Sequence, residues 1–149
     1  MEKTEETKEM IKIIGFILNE EEYALKIENV KEIIKIIKMT RVPRTEKYIV
    51  GVINLRGVVI PIIDLNKKFD VEVEKKNSQR IIIVDLDSTM IGLIVDEVSE
   101  VLEMSSDQIF INPTIKSTIK KEYVSGVCKL GEERLLTLLN IKKILELKS

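Results

Sequence analysis

The sequence contains no histidine, no tryptophan and a single cysteine, Cys128. Without histidine, the protein lacks the side chain best suited to proton transfer near neutral pH and the commonest metal ligand. One cysteine excludes a disulfide framework, and the absence of a Cys/His cluster excludes a structural zinc site. The composition therefore argues against metal centres and against histidine-dependent catalysis.

Neither sign of charge is in large excess, because 24 Lys+Arg oppose 25 Asp+Glu for a net charge of −1. Lysines and glutamates are interleaved, and three Tyr and three Phe are too few to build stacking platforms for bases. A chain of this kind has no net attraction for phosphate backbones or anionic lipid. We therefore expect no nucleic-acid partner.

Long hydrophobic runs are also missing. The longest, such as Val58–Ile63, have the length of a strand and fall far below the ~20 residues of a membrane-spanning helix. Residues 1–10 are rich in Glu, Lys and Thr and lack the apolar segment of a secretory signal. We expect no membrane insertion, and a cytoplasmic location with which the lone cysteine agrees.

Catalytic motifs are absent as well. The Gly51 to Gly57 spacing is not followed by Lys-Ser/Thr, so it is not a phosphate-binding loop. Asp85, Asp87 and Asp96 are expected to be solvated carboxylates near turns. Cys128 sits in an apolar strand pattern, which is typical of a buried, inert thiol. We therefore expect no catalytic residue, no metal and no cofactor.

What the chain has in abundance is β-branched aliphatic residues, with 25 Ile and 14 Val. Such residues favour strands and are stiff in helices, so the composition predicts a mainly β protein. The apolar runs predict strands over Ile11–Leu18, Tyr23–Ile27, Tyr48–Ile53, Val58–Ile63, Arg80–Leu86, Met90–Val95, Tyr123–Leu130 and Leu135–Leu139. The spacing in Glu28–Ile34 fits a helical turn, yet Ile33–Met39 fits a strand equally well. Glu97–Met104 resembles the Glu28 region.

The length of 149 residues predicts one domain. We divide it into a flexible tail over 1–10, a first β unit over about 11–69, a linker over 70–79 and a second unit over about 80–147. Asp64 and Asn140 are good N-caps, so each unit is expected to end in a short helix, over Asp64–Phe69 and Ile141–Leu147. A long loop is expected over Ser105–Glu122.

The two units repeat each other, since three blocks return in the same order at offsets of 68, 75 and 76 residues. The recurring blocks are Tyr23-x-Leu25-x-Ile27-x-x-Val30-x-Glu32-Ile33-Ile34 with Ile91-x-Leu93-x-Val95-x-x-Val98-x-Glu100-Val101-Leu102, Tyr48-x-x-Gly51-Val52-x-x-Leu55 with Tyr123-x-x-Gly126-Val127-x-x-Leu130, and Ile62-Ile63-Asp64-Leu65-x-Lys67 with Leu138-Leu139-Asn140-Ile141-x-Lys143. Each unit holds about five strands. The repeat predicts two five-stranded barrels related by a pseudo-twofold axis, because closure removes exposed strand edges.

One side chain is a candidate for recognition on physical grounds. Arg56 lies in the predicted turn Asn54–Gly57 between two apolar strands, so a rigid hairpin should present its guanidinium to solvent. A planar fork of donors suits partner recognition, although a loop arginine without a role is the alternative. For Val30, Ile33 and Val101 the default is core packing, and an exposed apolar groove between the units is the alternative.

Two stretches resemble the CheW family. The first is Phe16-x-Leu18-x-x-x-x-Tyr23-Ala24-Leu25-x-Ile27-x-x-Val30-x-Glu32-Ile33, and the most specific is Arg41-Val42-Pro43 followed by Ile49-x-Gly51-Val52-Ile53-Asn54-Leu55-Arg56-Gly57-x-x-Ile60-Pro61-Ile62-Ile63-Asp64-Leu65. Gly92-Leu93-Ile94-Val95-Asp96-x-Val98-x-x-Val101-Leu102 adds to the match, which extends from about Ile13 to Leu145.

The resemblance implies a chemotaxis adaptor built from two five-stranded SH3-like β-barrels, with no catalysis and no cofactor. Such adaptors link the cytoplasmic tips of methyl-accepting chemoreceptors to the regulatory domain of the histidine kinase CheA, in membrane-associated arrays. By position, the resemblance implies receptor binding by Arg56 together with Val30, Ile33 and Val101. It implies a coupling or kinase-binding role for Glu32 and Gly51. The free protein is expected to be a monomer.

Other readings are kept beside this one. Within the family, the chain could be an adaptor fused to a response-regulator domain, or a fragment of the kinase, although its length leaves no room for a receiver domain. Outside the family, the barrels could bind RNA. A hydrolase is the weakest alternative, because no nucleophile–base pair is evident.

Overall fold

Strands dominate the computed structural model, which describes residues 9–111 and 119–146. The strands are β1 (Met10–Leu18), β2 (Glu21–Lys26), β3 (Val30–Lys35), β4 (Ile49–Leu55), β5 (Val58–Asp64), β6 (Arg80–Leu86), β7 (Thr89–Val95), β8 (Glu97–Ser105), β9 (Ile109–Phe110), β10 (Val124–Leu130) and β11 (Arg134–Leu139). Two short helices follow β5 and β11, α1 (Leu65–Lys68) and α2 (Ile141–Ile144). The mainly β prediction is confirmed.

The segments that the sequence left open are now assigned. Ile27–Asn29 forms a 3₁₀ turn and β3 follows it directly, so both readings of that region were partly right. The predicted loop over Ser105–Glu122 contains 3₁₀ turns and the short strand β9, and its residues 112–118 lie outside the described residues. The first strand begins at Met10, while residues 1–8 of the predicted tail and Leu147 of the predicted closing helix are outside them too.

The strands form two mixed sheets, with the orders β8-β1-β2-β11-β10-β9 and β3-β6-β7-β5-β4. Strands β3 to β7 are contiguous in the chain, whereas the other sheet combines the first two strands with the last four. This division differs from the expectation that residues 11–69 and 80–147 each build one barrel. The reason is non-local pairing: β5 runs parallel to β7, β2 runs parallel to β11, and β8 pairs with β1.

The two sheets have the same order once each strand is replaced by its repeat counterpart. Exchanging β1 with β6, β2 with β7, β3 with β8, β4 with β10 and β5 with β11 converts β3-β6-β7-β5-β4 into β8-β1-β2-β11-β10. The predicted pseudo-twofold duplication is therefore confirmed, with the two repeats exchanging strands.

Each sheet closes on itself through the chain that follows its edge strand. In the first barrel, which we call barrel A (β1, β2 and β8–β11), the chain leaves β8 and returns as β9 to pair with β10. In barrel B (β3–β7), the chain leaves β3 and returns at Thr40, which exchanges two backbone hydrogen bonds of 2.8 and 2.9 Å with Val52 of β4. Closure leaves few unpaired edges for unwanted association.

Three apolar clusters hold the barrels together. The largest lies between the two sheets and draws on both, with Phe16, Leu25, Ile82 and Leu93 fully buried. A second fills barrel A and a third fills barrel B. Because β1 and β6 bury both of their faces, they read in the sequence as nearly continuous apolar runs. The central cluster makes the two barrels one rigid unit.

Side-chain caps begin both helices, as predicted. The Asp64 carboxylate accepts from the Asn66 and Lys67 amides at 3.0 and 3.3 Å, and the Asn140 side-chain oxygen accepts from the Lys143 amide at 3.2 Å. Burial raises the pKa of Asp64, and the neighbouring Asp96 charge acts in the same direction. The bonds from Lys67 and Asn66 oppose this shift without cancelling it.

Replacing Asp64 by asparagine is expected to stabilise the fold at pH 7 and to lose this advantage on acidification. A carboxyl group whose pKa is raised on folding is held more tightly as the acid, so it lowers stability as the pH rises above its unfolded value of 3.8. Asparagine keeps the cap, as Asn140 does in the second repeat. Urea unfolding of both proteins at pH 7 and pH 3 measures the difference; an equal difference at both pH values would contradict the prediction.

Candidate functional site

The hairpin between β4 and β5 presents Arg56 to solvent. Arg56 and Gly57 form its two-residue turn, with φ angles of 51° and 87°. Positive φ at both positions is the signature of the type I′ turn, which matches the twist of the paired strands. The Asn54 side-chain oxygen accepts a 2.9 Å hydrogen bond from the Gly57 amide and braces the turn. Arg56 is 70% exposed, so the predicted presentation of its guanidinium is what the fold provides.

Glu32 of β3 forms an ion pair with Arg56. The two side chains are 24 residues apart in sequence, and the pair joins β3 to the tip of the β4–β5 hairpin across the end of barrel B. A pair this exposed contributes only about 0–1 kcal/mol to stability. Its main effect is to restrict the orientation of the guanidinium, which still faces water.

The other face of β3 continues the central apolar cluster to the surface, whereas Glu32 lies opposite Ile83 of the barrel B cluster. Val30 lies opposite Val84, and Ile33 lies opposite Ile82, so all four side chains point to the same side of the sheet. Val84 and Ile82 belong to the central cluster. Val30 is half-buried against that cluster and Ile33 is 38% exposed. Both the core-packing and the exposed-groove readings therefore describe part of this face.

Val101 lies on β8, in the other sheet. It is opposite Ile14 of the central cluster and is 55% exposed. In the repeat it stands where Ile33 stands in the first unit. The structure thus brings Arg56 into contact with Glu32 and places Val30 and Ile33 on one strand, while Val101 occupies the pseudo-symmetric strand at the edge of the same central cluster.

Gly51 is buried at the seam where barrel B closes. A Cβ atom at this position would lie 2.7 Å from the Thr40 carbonyl oxygen. Gly126 stands at the repeat position in barrel A, where a Cβ would lie 2.8 Å from the Phe110 carbonyl oxygen. The absence of a side chain at the two matched glycines therefore leaves room for the closing segment of each barrel. Gly51 also offers no side chain for a partner to contact.

A second ion-pair group was not predicted from the sequence. Arg134, at the start of β11, binds Glu22 through three hydrogen bonds of 2.7–3.2 Å and Glu100 through one of 2.8 Å. These contacts hold the pKa of Arg134 above its usual range, Glu22 contributing most. The one available signal was the repeat itself, because Glu100 is the counterpart of Glu32.

The remaining candidates carry no catalytic arrangement within residues 9–111 and 119–146. Cys128 is fully buried, and burial raises the pKa of its thiol to about 11, in agreement with an inert residue. Asp87 is exposed in a turn, as expected, but Asp96 is half-buried. Its carboxylate accepts from the Asn19 amide at 2.7 Å and from the Asn66 side chain at 2.8 Å, so it is a structural group and not a solvated one.

The described part of the chain contains no group of three or more potential metal ligands. None of the helices formed by these residues has the length and hydrophobicity that a membrane-spanning helix requires.

The comparisons with known proteins agree on a family. The family model described as the CheW-like domain matches residues 12–149. The chain belongs to the CheW family. It is 37% identical to the chemotaxis protein CheW of Helicobacter pylori, over 97% of this chain and 87% of that protein. It is 39% identical to CheW of Bacillus subtilis, over 98% of this chain and 94% of that protein.

A solved structure supports the same conclusion. The crystal structure of the scaffolding protein TtCheW from Thermoanaerobacter tengcongensis superposes with a TM-score of 0.85 at 37% identity. The match covers 92% of this chain and 93% of TtCheW. The predictions of a CheW-family fold and of a chemotaxis scaffold are confirmed, and the relatives bear scaffold and chemotaxis names in place of enzyme names.

Proposed function

We propose that this protein is a non-catalytic adaptor that couples chemoreceptors to the histidine kinase CheA. Its partners would be the cytoplasmic tips of methyl-accepting chemoreceptors and the regulatory domain of the kinase. It would work in the cytoplasm, recruited to membrane-associated receptor arrays. The observation that supports the proposal is the exposed Arg56, oriented by Glu32 at the end of barrel B, together with the apolar residues on the other face of β3 that continue the core.

The receptor tip would dock by burying apolar surface. Ile33 and Val101 are 38% and 55% exposed and lie at the two edges of the central cluster, on strands related by the pseudo-twofold axis. A helical hairpin with an apolar stripe can cover such a surface by laying its side chains against the strands. Val30 supports this face from below, because it packs against the central cluster.

Arg56 would fix the position of the receptor along that surface. An exposed guanidinium on a rigid turn offers several donors in one plane, so it binds an acceptor oxygen in only a few orientations. Glu32 would act through Arg56 as a positioning residue, since its carboxylate holds the guanidinium on the side of the barrel where β3 lies.

The kinase regulatory domain would pair with a barrel end. The seam at Gly51 gives that end its shape, because closure of barrel B depends on Thr40 passing over the glycine. Gly51 would therefore affect coupling through the backbone. Receptor movement would reach the kinase because the central cluster joins both barrels into one body, so that a shift imposed on one face moves the other.

Replacing Arg56 by alanine is expected to weaken binding of a chemoreceptor cytoplasmic fragment by about tenfold or more, as for an arginine at the centre of an interface. The fold should be unaffected, because the ion pair that is lost is exposed. Isothermal titration calorimetry measures the affinity for the receptor fragment and, separately, for the kinase regulatory domain.

Arg41→Ala is the matched control, since it removes an exposed arginine of the same barrel that lies outside the hairpin. Only the receptor affinity of the Arg56 variant should fall. Equal affinities for the two variants, with both proteins folded, would remove Arg56 from the receptor site.

A further inference from the structure

The apolar surface proposed above for the receptor tip consists of two half-sites related by the pseudo-twofold axis. One is formed by Val30 and Ile33 of β3, and the other by Val98 and Val101 of β8, which are their counterparts in the repeat. Val30 and Val98 both pack against the central cluster, and Ile33 and Val101 are both exposed beyond it. By apolar shape alone, the surface offers nearly the same contacts in two orientations.

A partner built from two antiparallel helices has an approximate twofold axis of its own. Turning such a hairpin by half a turn on this surface exchanges the helix over β3 with the helix over β8. The apolar contacts change little in this exchange, so they cannot by themselves select one orientation. Specificity is a difference between two affinities, and it requires a group that distinguishes the half-sites.

The edge strand of each half-site also carries, on its other face, a glutamate paired with an arginine at the rim of the barrel, and the two arginines differ in availability. Arg56 has one carboxylate partner, Glu32, and is 70% exposed. Arg134 has two carboxylate partners, Glu22 and Glu100, and is 38% exposed. The two glutamates engage the Nε and Nη2 donors of Arg134, so that its Nη1 group is what remains for an external acceptor.

The charged residues beside Ile33 and Val101 also differ between the two half-sites. Lys35 follows Ile33 on the same face of β3, whereas Glu103 follows Val101 on the same face of β8, and both are exposed. Lys35 lies opposite Arg80, and Glu103 lies opposite Lys12. The β3 half-site is therefore cationic and the β8 half-site is not.

We infer that this polarity selects one of the two orientations of the docked receptor hairpin. Arg56, which has one carboxylate partner and lies at the rim of barrel B next to β3, would bind an acceptor oxygen of the helix over β3. Arg134, which has two carboxylate partners, would leave the β8 half-site with the weaker donor. The inference rests on the proposed function, because it names how the receptor is oriented on that site. Glu22 becomes a specificity-determining residue, although it acts only through Arg134.

The test is a rescue. Glu22→Gln leaves Arg134 with one carboxylate partner, which is the number that Arg56 has. In the Arg56→Ala background, this second change is expected to restore at least threefold of the lost affinity for a chemoreceptor cytoplasmic fragment, measured by calorimetry. Glu20→Gln in the same background is the matched control, since it neutralises a glutamate of the same hairpin whose carboxylate is not bound to Arg134. The control should restore nothing.

Orientation is read out separately by disulfide crosslinking. Single cysteines at Lys35 or Glu103 are combined with one cysteine on the first helix of the receptor hairpin. With Arg56 intact, one of the two positions should crosslink; in the Arg56→Ala, Glu22→Gln protein, the preference should reverse. Thermal unfolding establishes that each variant is folded at the temperature of the assay.

A second variant covers the case in which Glu22→Gln does not fold. Arg134→Ala alone should change receptor affinity by less than twofold, because Arg134 is occupied; a loss equal to that of Arg56→Ala would overturn the inference. A loss on Arg56→Ala without rescue by Glu22→Gln overturns the inference and leaves the proposed function standing. No loss on Arg56→Ala overturns the inference and removes Arg56 from the receptor site, whereas failure of the unchanged protein to bind the receptor fragment overturns the proposed function.

Discussion

Replacing Phe16 by alanine is expected to destabilise the protein by about 3–5 kcal/mol, the usual cost of removing a fully buried phenylalanine. Phe16 is completely buried in the cluster between the two barrels, where its ring stacks on Tyr23 at a centroid distance of 6.1 Å. Because that cluster draws on both sheets, the loss should lower the stability of the two barrels together. Urea unfolding followed by circular dichroism measures the urea concentration at the midpoint of unfolding and the dependence of the free energy of unfolding on urea.

The matched control is Phe110→Ala, which removes the same ring from a position that is 50% exposed. It should shift the midpoint far less. Two separate transitions in the Phe16 variant would contradict the view that the central cluster makes the barrels one cooperative unit.

Gly51→Ala is expected to destabilise barrel B by about 3 kcal/mol or more. The new methyl group would lie 2.7 Å from the Thr40 carbonyl oxygen, a backbone atom that cannot rotate away. Overpacking typically costs ~1–3 kcal/mol, and about 1 kcal/mol is lost with each closing hydrogen bond that breaks. Two such bonds join Thr40 to Val52. Urea unfolding measures the loss, and amide hydrogen exchange at Val52 reports whether the seam has opened.

The repeat supplies the control for any effect on signalling. Gly126→Ala introduces the same clash in barrel A, 2.8 Å from the Phe110 carbonyl oxygen. If Gly51 acts on coupling through the shape of barrel B, its variant should impair kinase control more than the Gly126 variant at equal folded fractions. Gly57→Ala would meet no atom within 4 Å, so any loss of stability there would come from its positive φ of 87° and not from the seam. Equal impairment by both seam variants would indicate that lost stability alone is responsible.

Much of this fold could be predicted from local sequence patterns. Residues close together in the chain determine several of its features. These are the hairpin with Arg56 and Gly57 at its turn, the helix caps at Asp64 and Asn140, and the apolar runs of β1 and β6. The duplication could be recognised because equivalent residues have the same structural role in both repeats. Gly51 and Gly126, for example, both lie beneath a closing segment.

The partition of strands between the barrels could not be predicted, because it depends on pairs that are distant in sequence. A run such as Tyr23–Leu25 shows that a strand exists, but it does not show that the strand lies beside β11. The short strand β9 was also missed, because two residues are too few to show an alternating pattern. The contact between Arg134 and Glu22 spans 112 residues and has no local signal at all.

Among the proposed site residues, Arg56 was found by its place in a turn, which is a local property. The exposure of Ile33 and Val101 was not predictable in the same way, because a valine at the edge of a core and one inside it have the same sequence pattern. Only the register with Ile82 and Ile14 shows that these side chains extend the core to the surface.

The order of the strands along the chain also has a consequence for biosynthesis. All five strands of barrel B are present once the ribosome has released residue 95, so this barrel can assemble during translation. The β1–β2 hairpin is made before barrel B, yet its partners β8 and β11 are made after it. Until residue 139 emerges, the apolar faces of that hairpin have no complete partner surface. We therefore expect a nascent chain arrested before that point to expose more apolar surface than the finished fold does.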